Sequence, residues 1–314
     1  MRSLHLLIGV LVAAGTLAAP AAADSGPVIV GAEATVTESL QTFWTPERIA
    51  RARSRELPAA AEGAATARPS GPAGRELTVP GSAPAGGAQK GFLASPMVGL
   101  ILGEDAQGPF ACSASAVGGP GRNVIATAAH CVHEGPGGTW ARNLVYMPYY
   151  NYGPDGYYGT WTVVGTYVYS PWIESRDHTY DYAFASVLPR DGRVLGDVTG
   201  WNGMSFNRTG IYTAALWGYP SIPPSEGEWQ YNCATTVIVS VFRRLQAGGD
   251  CATLAAPGSS GGPWMYDYQQ SRGWGYVTSV TSQGAQGQYV VGPFFGDAAR
   301  QLWEHAGARG ASLS

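Results

Sequence analysis

The chain has 314 residues, of which 13% are charged, and a formal net charge of −3, so it lacks the basic footprint that nucleic-acid binding requires. Seventeen Tyr, ten Trp and 44 Gly favour strands and tight turns over long helices. Beyond the N-terminus no apolar run approaches the roughly 20 residues of a membrane span, which argues against a membrane role for the rest of the chain.

The first element is a targeting segment. In "MRSLHLLIGVLVAAGTLAAPAAADS", Arg2 precedes an apolar run from Leu4 to Leu17, then Pro20 and the small residues Ala21, Ala22 and Ala23. This predicts a signal peptide over residues 1–23, cleaved after Ala23, and a secreted product. A membrane anchor is the competing reading, but the apolar part is short and no stop-transfer pattern follows. In an oxidising compartment the four cysteines, Cys112, Cys131, Cys233 and Cys251, predict two disulfides. Three connectivities are open, and nearest-neighbour pairing (112 with 131, 233 with 251) is preferred. A zinc site would need a C-x-x-C pair, and there is none.

Residues 57–89, "LPAAAEGAATARPSGPAGRELTVPGSAPAGGAQ", carry almost no large apolar side chains and cannot offset their ordering entropy. Residues 24–90 therefore read as a pro-region ending in a flexible linker, with ordered structure expected only between Val28 and Arg55. From Gly91 onward short apolar or alternating runs follow, among them "SPMVGLIL", "ACSASAV", "NVIATAA", "WTVVGTYVY", "DYAFASVL", "TTVIVSVF" and "YVVGPFF". Gly, Pro, Asn and Asp punctuate them, which predicts an all-β sandwich or barrel. The one clear helix lies at the end, in "DAARQLWEHAG", with Asp297 as cap, Ala298, Leu302 and Ala306 on one face and Gly307 as stop.

Two stretches carry chemistry. In "TAAHCV" His130 sits between small residues and Cys131, at the end of an apolar run. In "PGSSGGPW" Gly258, Gly261 and Gly262 flank Ser259 and Ser260 so tightly that the backbone must turn sharply. Such a turn can aim a serine hydroxyl and nearby N–H groups at one spot, as acyl transfer needs. "GSSGG" also fits the G-x-S-x-G elbow of α/β-hydrolases, but that fold needs an acid and then a His downstream. Only His305 follows, inside the terminal helix, so the elbow fails on order. The order His, Asp, Ser is satisfied by His130, Asp181 of "YDYAFASVL" and Ser260. An Asp leading into an apolar strand is half buried and able to hold an imidazole in one tautomer. Asp177, in the polar "ESRDH", is the alternative acid and reads as solvated.

"TAAHC", "DYAFA" and "GSSGGP", in that order, resemble the chymotrypsin-like serine peptidases over about residues 91–308. The variant is similar to the bacterial branch that includes the glutamyl endopeptidases, which share a "GYP" turn like Gly218-Tyr219-Pro220 and a cysteine ahead of the serine loop like Cys251. The resemblance implies two six-stranded antiparallel β-barrels, residues 91–195 and 196–314, the second followed by the C-terminal helix. It implies a cofactor-free endopeptidase in which Ser260 is the nucleophile, His130 the base and later acid, Asp181 the orienting carboxylate, and the N–H groups of Gly258 and Ser260 the oxyanion hole. A disulfide from Cys131 to Cys112 would then anchor the histidine's loop. Partners would be protein or peptide substrates, with no nucleic acid, no membrane after signal removal, and a monomeric state.

Three positions depart from familiar members. Ser259 stands where many animal members carry the Asp that pairs with a new N-terminal amine, so maturation here should not work through that ion pair. Leu254, at the pocket floor, is not an acid, and Thr281 stands near the position where glutamyl endopeptidases carry a His. A small or medium apolar substrate side chain is expected. A catalytically silent two-barrel binding protein and an esterase using the same triad are the rival functions. "HCVHEG" suggests a loose metal cluster at His130, His133 and Glu134, but lacks the H-E-x-x-H order, and Gly135 breaks any helix, so no metal is expected. His178 and His305 read as structural or solvent-facing. The tyrosines between residues 146 and 182 read as barrel residues, with a carbohydrate platform as the alternative. "NRT" at Asn207 fits a glycosylation acceptor.

Overall fold

A computed structural model describes residues 27–34, 40–55, 74–84, 94–153, 158–240 and 244–314. The expected signal peptide and most of the expected linker lie outside these. The molecule is an all-β, chymotrypsin-like pair of barrels with a C-terminal helix.

The first barrel comprises β1 (Val98–Asp105), β2 (Gly108–Val117), β3 (Val124–Thr127), β4 (Arg142–Pro148), β5 (Trp161–Tyr169) and β6 (Ala183–Val187). It closes in the order β1-β2-β3-β6-β5-β4, with every neighbouring pair antiparallel and β4 returning to β1. Its centre is filled by Ile101, Phe110, Ile125, Tyr146 and Trp161, all buried. The continuous apolar run in β1 has a reason: Leu100 and Leu102, on the other face of the strand, join a second cluster with Leu40, Trp44 and Ile49 of the N-terminal segment.

The second barrel comprises β7 (Ile211–Gly218), β8 (Tyr231–Val239), β9 (Arg244–Gly248), β10 (Pro263–Gln269), β11 (Trp274–Val280) and β12 (Tyr289–Pro293). They run antiparallel in the order β12-β9-β8-β7-β10-β11. The ends meet where Ser279 Oγ donates to the Pro293 carbonyl at 2.7 Å and the Ser282 N–H to Val291 at 3.0 Å. Leu216, Val237, Leu245, Trp264 and Val290 form its core.

The N-terminal segment is more structured than its composition suggests. Ile29–Glu33 pairs antiparallel with β5, and Arg53–Ser54 pairs parallel with β2. Leu77–Val79, expected within a flexible linker, instead forms an edge strand against Gly203–Phe206, which itself pairs parallel with β11. Close approach explains this: a Cβ on Gly81 would lie 2.6 Å from the Trp201 carbonyl and the Trp274 ring, so glycine lets the segment lie flat on the sheet.

The terminal helix also differs from expectation. It spans Asp297–Ala311 with Gly296 as the cap residue, and it runs through Gly307. Gly307 is a contact residue here, not a stop, since a Cβ would lie 2.7 Å from Pro120. The buried face is Ala299, Leu302, Trp303, Ala306, Gly307 and Gly310, while Ala298 packs only partly. The helix docks on the first barrel: Ser186 Oγ donates to the Ala306 carbonyl at 2.9 Å, and Tyr169 Oη to Ala298 at 2.9 Å. Short helices also occur at Leu40–Phe43, Pro46–Ala50, Ser170–Ser175 and Leu195–Thr199, too short to leave a periodic signal.

Candidate active site

The histidine comes from a single 3₁₀ turn, Ala129–Cys131, at the end of β3. Cys131 is bonded to Cys112 of β2, and the other bridge joins Cys233 to Cys251. The first bridge fixes the turn to the neighbouring strand. A fully buried Asp181 follows the turn His178–Tyr180 and immediately precedes β6. Its carboxylate accepts the His130 backbone N–H at 2.9 Å and faces His130 Nδ1 at 2.8 and 3.1 Å. Ser282 Oγ donates to the same carboxylate at 2.6 Å. Burial alone would raise the Asp181 pKa. The charge of His130 and the hydrogen bonds from His130 and Ser282 outweigh it and hold the carboxyl well below its usual range.

The serine loop reaches across from the second barrel. The Ser113 N–H of β2 donates to the Ser260 carbonyl at 2.7 Å, which seats that carbonyl 3.8 Å from Cys131 Sγ, at the bridge that holds the His130 turn. Ser260 Oγ and His130 Nε2 are both buried, and neither has a hydrogen-bond partner. Gly261 (φ +81°) must be glycine, since a Cβ would lie 2.1 Å from Thr127 Oγ1 and 2.3 Å from the Ser113 carbonyl. Gly258 (φ +88°) is equally constrained by the Tyr219 carbonyl at 2.5 Å.

Three contributors escaped the sequence. Ser282 lies next to Thr281 but carries no motif. Ser113 sits inside the apolar run "ACSASAV", yet its Oγ donates to the Gly258 carbonyl at 2.8 Å and accepts the Tyr219 N–H at 3.0 Å. His178 packs on Trp172 with ring centroids 5.7 Å apart, and its Nδ1 is 4.0 Å from Asp181, beyond hydrogen-bond reach.

The remaining candidates have other partners. Asp177 caps its turn, accepting from Thr179 N at 2.9 Å and Oγ1 at 2.7 Å. Leu254 is fully buried in the second core. Thr281 Oγ1 accepts the Trp264 indole N–H at 3.0 Å. Ser259 Oγ is buried without a partner. His133 is buried; its Nδ1 accepts the Gly135 N–H at 3.0 Å and its ring packs edge-on against Trp140. Burial pushes its pKa down, with Glu134 opposing. His305 packs against Tyr167 at 4.7 Å. Among the described residues, one group has metal-ligand spacing: Cys112, His130 and Cys131. Both sulfurs are in the disulfide and hold no thiolate. Asn207 is buried and donates to Asp297 at 2.8 Å and Arg75 at 3.2 Å, so it presents no free amide for a glycan. Tyr146 and Tyr182 are buried core residues, as the barrel reading expects, whereas Tyr152 is exposed and packs on Trp229 at 5.2 Å. No helix among the described residues is long and apolar enough to cross a membrane.

No family model matches the sequence, and no curated protein matches it. Solved structures do. A thermostable serine protease, AL20, from an extremophilic microorganism is 30% identical, with a TM-score of 0.62, covering 68% of this chain and 98% of its own. The protease Anisep from Arthrobacter nicotinovorans is 29% identical, with a TM-score of 0.61, covering 69% and 98%. A Glu endopeptidase shares the fold at 18% identity and a TM-score of 0.55, covering 77% and 100%. His130 is paired with the buried Asp181 carboxylate, and the Ser260 loop of the second barrel is bonded to Ser113 of the first. The chain belongs to the chymotrypsin-like serine peptidases, a family of peptide-bond hydrolases.

Proposed function

We propose that the chain is a secreted serine endopeptidase made as a preproprotein. In this reading residues 1–23 are the signal peptide, 24–90 the pro-region, and 91–195 and 196–314 the two barrels of the enzyme. The two disulfides suit an oxidising compartment.

The observation that carries the reading is the contact of His130 Nδ1 with the buried Asp181 carboxylate at 2.8 Å, beside Ser260 on its glycine turn. An imidazole held through Nδ1 presents Nε2 as a base. His130 takes the Ser260 proton as Oγ attacks the scissile carbonyl, and the N–H groups of Gly258 and Ser260 receive the developing oxyanion. The imidazolium returns its proton to the leaving amine, and an acyl-enzyme remains on Ser260. Water, deprotonated by His130, releases the acid product. Asp181 stays ionised throughout and compensates the imidazolium charge. The apolar Leu254 and the engaged hydroxyl of Thr281 offer no charged group to a substrate side chain, which supports an uncharged preference.

A fluorophosphonate probe tests the assignment. Labelling should require both Ser260 and His130, and the unlabelled protein should cleave peptides from a library, an activity that the probe abolishes. A folded protein that never labels would be a binding protein, and ester turnover alone would make it an esterase.

A further inference from the structure

The Gly258 N–H, one of the two proposed oxyanion donors, already has a partner: it donates to the Arg55 carbonyl at 2.9 Å. Arg55 arrives on a short strand. Its own N–H donates to the Ala111 carbonyl at 2.9 Å, and the register pairs Arg53 with Phe110 and Ser54 with Ala111, parallel to β2. Side chains alternate along such a strand, so Arg53 and Arg55 share one side while Ser54 takes the other. A Cβ on Gly258 would lie 3.2 Å from Ser54 Oγ, so Ser54 faces the serine loop.

Both arginines converge on one acid. Each guanidinium pairs with Asp105, whose side chain is only 2% exposed. The other Asp105 oxygen accepts the Gln107 N–H at 2.8 Å. The Arg55 guanidinium also lies 4.4 Å from the Phe110 ring centroid, and that of Arg53 lies 6.0 Å from it. A carboxylate this deeply buried is costly to leave without a cation. With the segment in place, the buried Asp105 carboxylate therefore depends on the positive charge that Arg53 and Arg55 bring.

We propose that Asp105 and Phe110 form a recognition site for an extended peptide bearing two arginines separated by one residue. Arg53–Arg55 of this chain fills it, and the Arg55 carbonyl then caps the Gly258 donor and keeps the enzyme latent. The inhibitory consequence rests on the peptidase reading above; the peptide site itself does not. Once the segment leaves, the same groove binds an Arg-x-Arg peptide supplied in trans.

The test uses the full chain, unaltered and as the Arg53→Gln/Arg55→Gln double variant, with two readouts: fluorophosphonate labelling of Ser260 and hydrogen exchange at the Gly258 amide. The double variant should label at least about tenfold faster and lose protection at Gly258. The peptide acetyl-Ala-Arg-Ser-Arg-amide should restore slow labelling and protection, while its citrulline counterpart should not. Unchanged labelling and exchange would overturn the proposal, as would faster labelling with Gly258 still protected. Loss of protection without labelling in any form would uphold the strap and overturn the peptidase reading. Cleavage of the intact chain between Arg55 and Glu56 would show that the segment is a substrate, and would overturn latency.

Discussion

Ser113 Oγ donates to the Gly258 carbonyl at 2.8 Å while accepting the Tyr219 N–H at 3.0 Å. One hydroxyl from the first barrel thus fixes two backbone segments of the second. It holds the peptide plane after Gly258, two residues before Ser260, against the Tyr219 turn. Ser113→Ala leaves a buried N–H and a buried C=O without this partner, at about 1–3 kcal/mol each. The mature variant should lose roughly tenfold in kcat, with a lower denaturation midpoint; kinetics and urea unfolding check both. Unchanged kcat in a destabilised protein would restrict Ser113 to a structural role.

Ser282 supplies the third hydrogen bond to Asp181, after the backbone and ring of His130. A hydrogen bond to a charged group contributes about 1.5–3 kcal/mol. Ser282→Ala should therefore lower kcat by about tenfold with little change in KM, because it touches the orientation of His130 and not substrate binding. Asp181→Asn should do far more; in this family the corresponding change costs about 10⁴ in turnover. Steady-state kinetics on both variants gives the comparison.

The Cys112–Cys131 bridge spans 19 residues of sequence and ties the His130 turn to β2. Chain-entropy reasoning gives about 3 kcal/mol of stabilisation for a loop of this size. Replacing both cysteines by alanine should lower stability by about that amount and reduce activity more than the Cys233→Ala/Cys251→Ala pair does, since only the first bridge borders His130. Thermal unfolding and probe labelling separate the two effects.

Acid should destabilise the fold in two separate windows. His133 has a lowered pKa, so its neutral form is favoured by folding. The unfolded chain gains the proton first, and stability falls as pH drops below about 6.5. Asp181 is also lowered, which stabilises the folded state above the ordinary value near 3.8 and is lost only as pH falls further, through the folded value. His133→Asn keeps an acceptor for the Gly135 N–H without a titrating ring, and should flatten the first window alone. Denaturation midpoints from pH 7 down to 2 cover the first window and enter the second.

The motif residues were legible because their signals are local. "TAAHC", "DYAFA" and "GSSGGP" each place a polar side chain beside small residues or a strand start, and in the folded chain His130 meets Asp181 while the Ser260 loop bonds to Ser113. Ser113 and Ser282 left no signal, since a serine in or beside an apolar strand acquires meaning only from its partner in the other barrel, and His178 left none because its contacts with Trp172 and Asp181 fit no motif. Arg53 and Arg55 were invisible for the same reason: their partner, Asp105, is 50 positions or more away. The run of the last helix past Gly307 was misread because Gly is penalised within helices, while here its missing side chain admits Pro120.

Ile29–Glu33 has a consequence for what remains after processing. Over five residues it lies alongside β5, from Gly165 to Tyr169, and Glu33 also binds Arg309 of the terminal helix at 2.8 Å. Were this ribbon to diffuse away, a row of main-chain donors and acceptors would be bared on an apolar wall, an invitation to stack with a second molecule. Cuts on both sides of Arg53–Arg55 that spare this ribbon would let it persist as a separate, non-covalently held fragment, and the working enzyme would then be a two-piece particle.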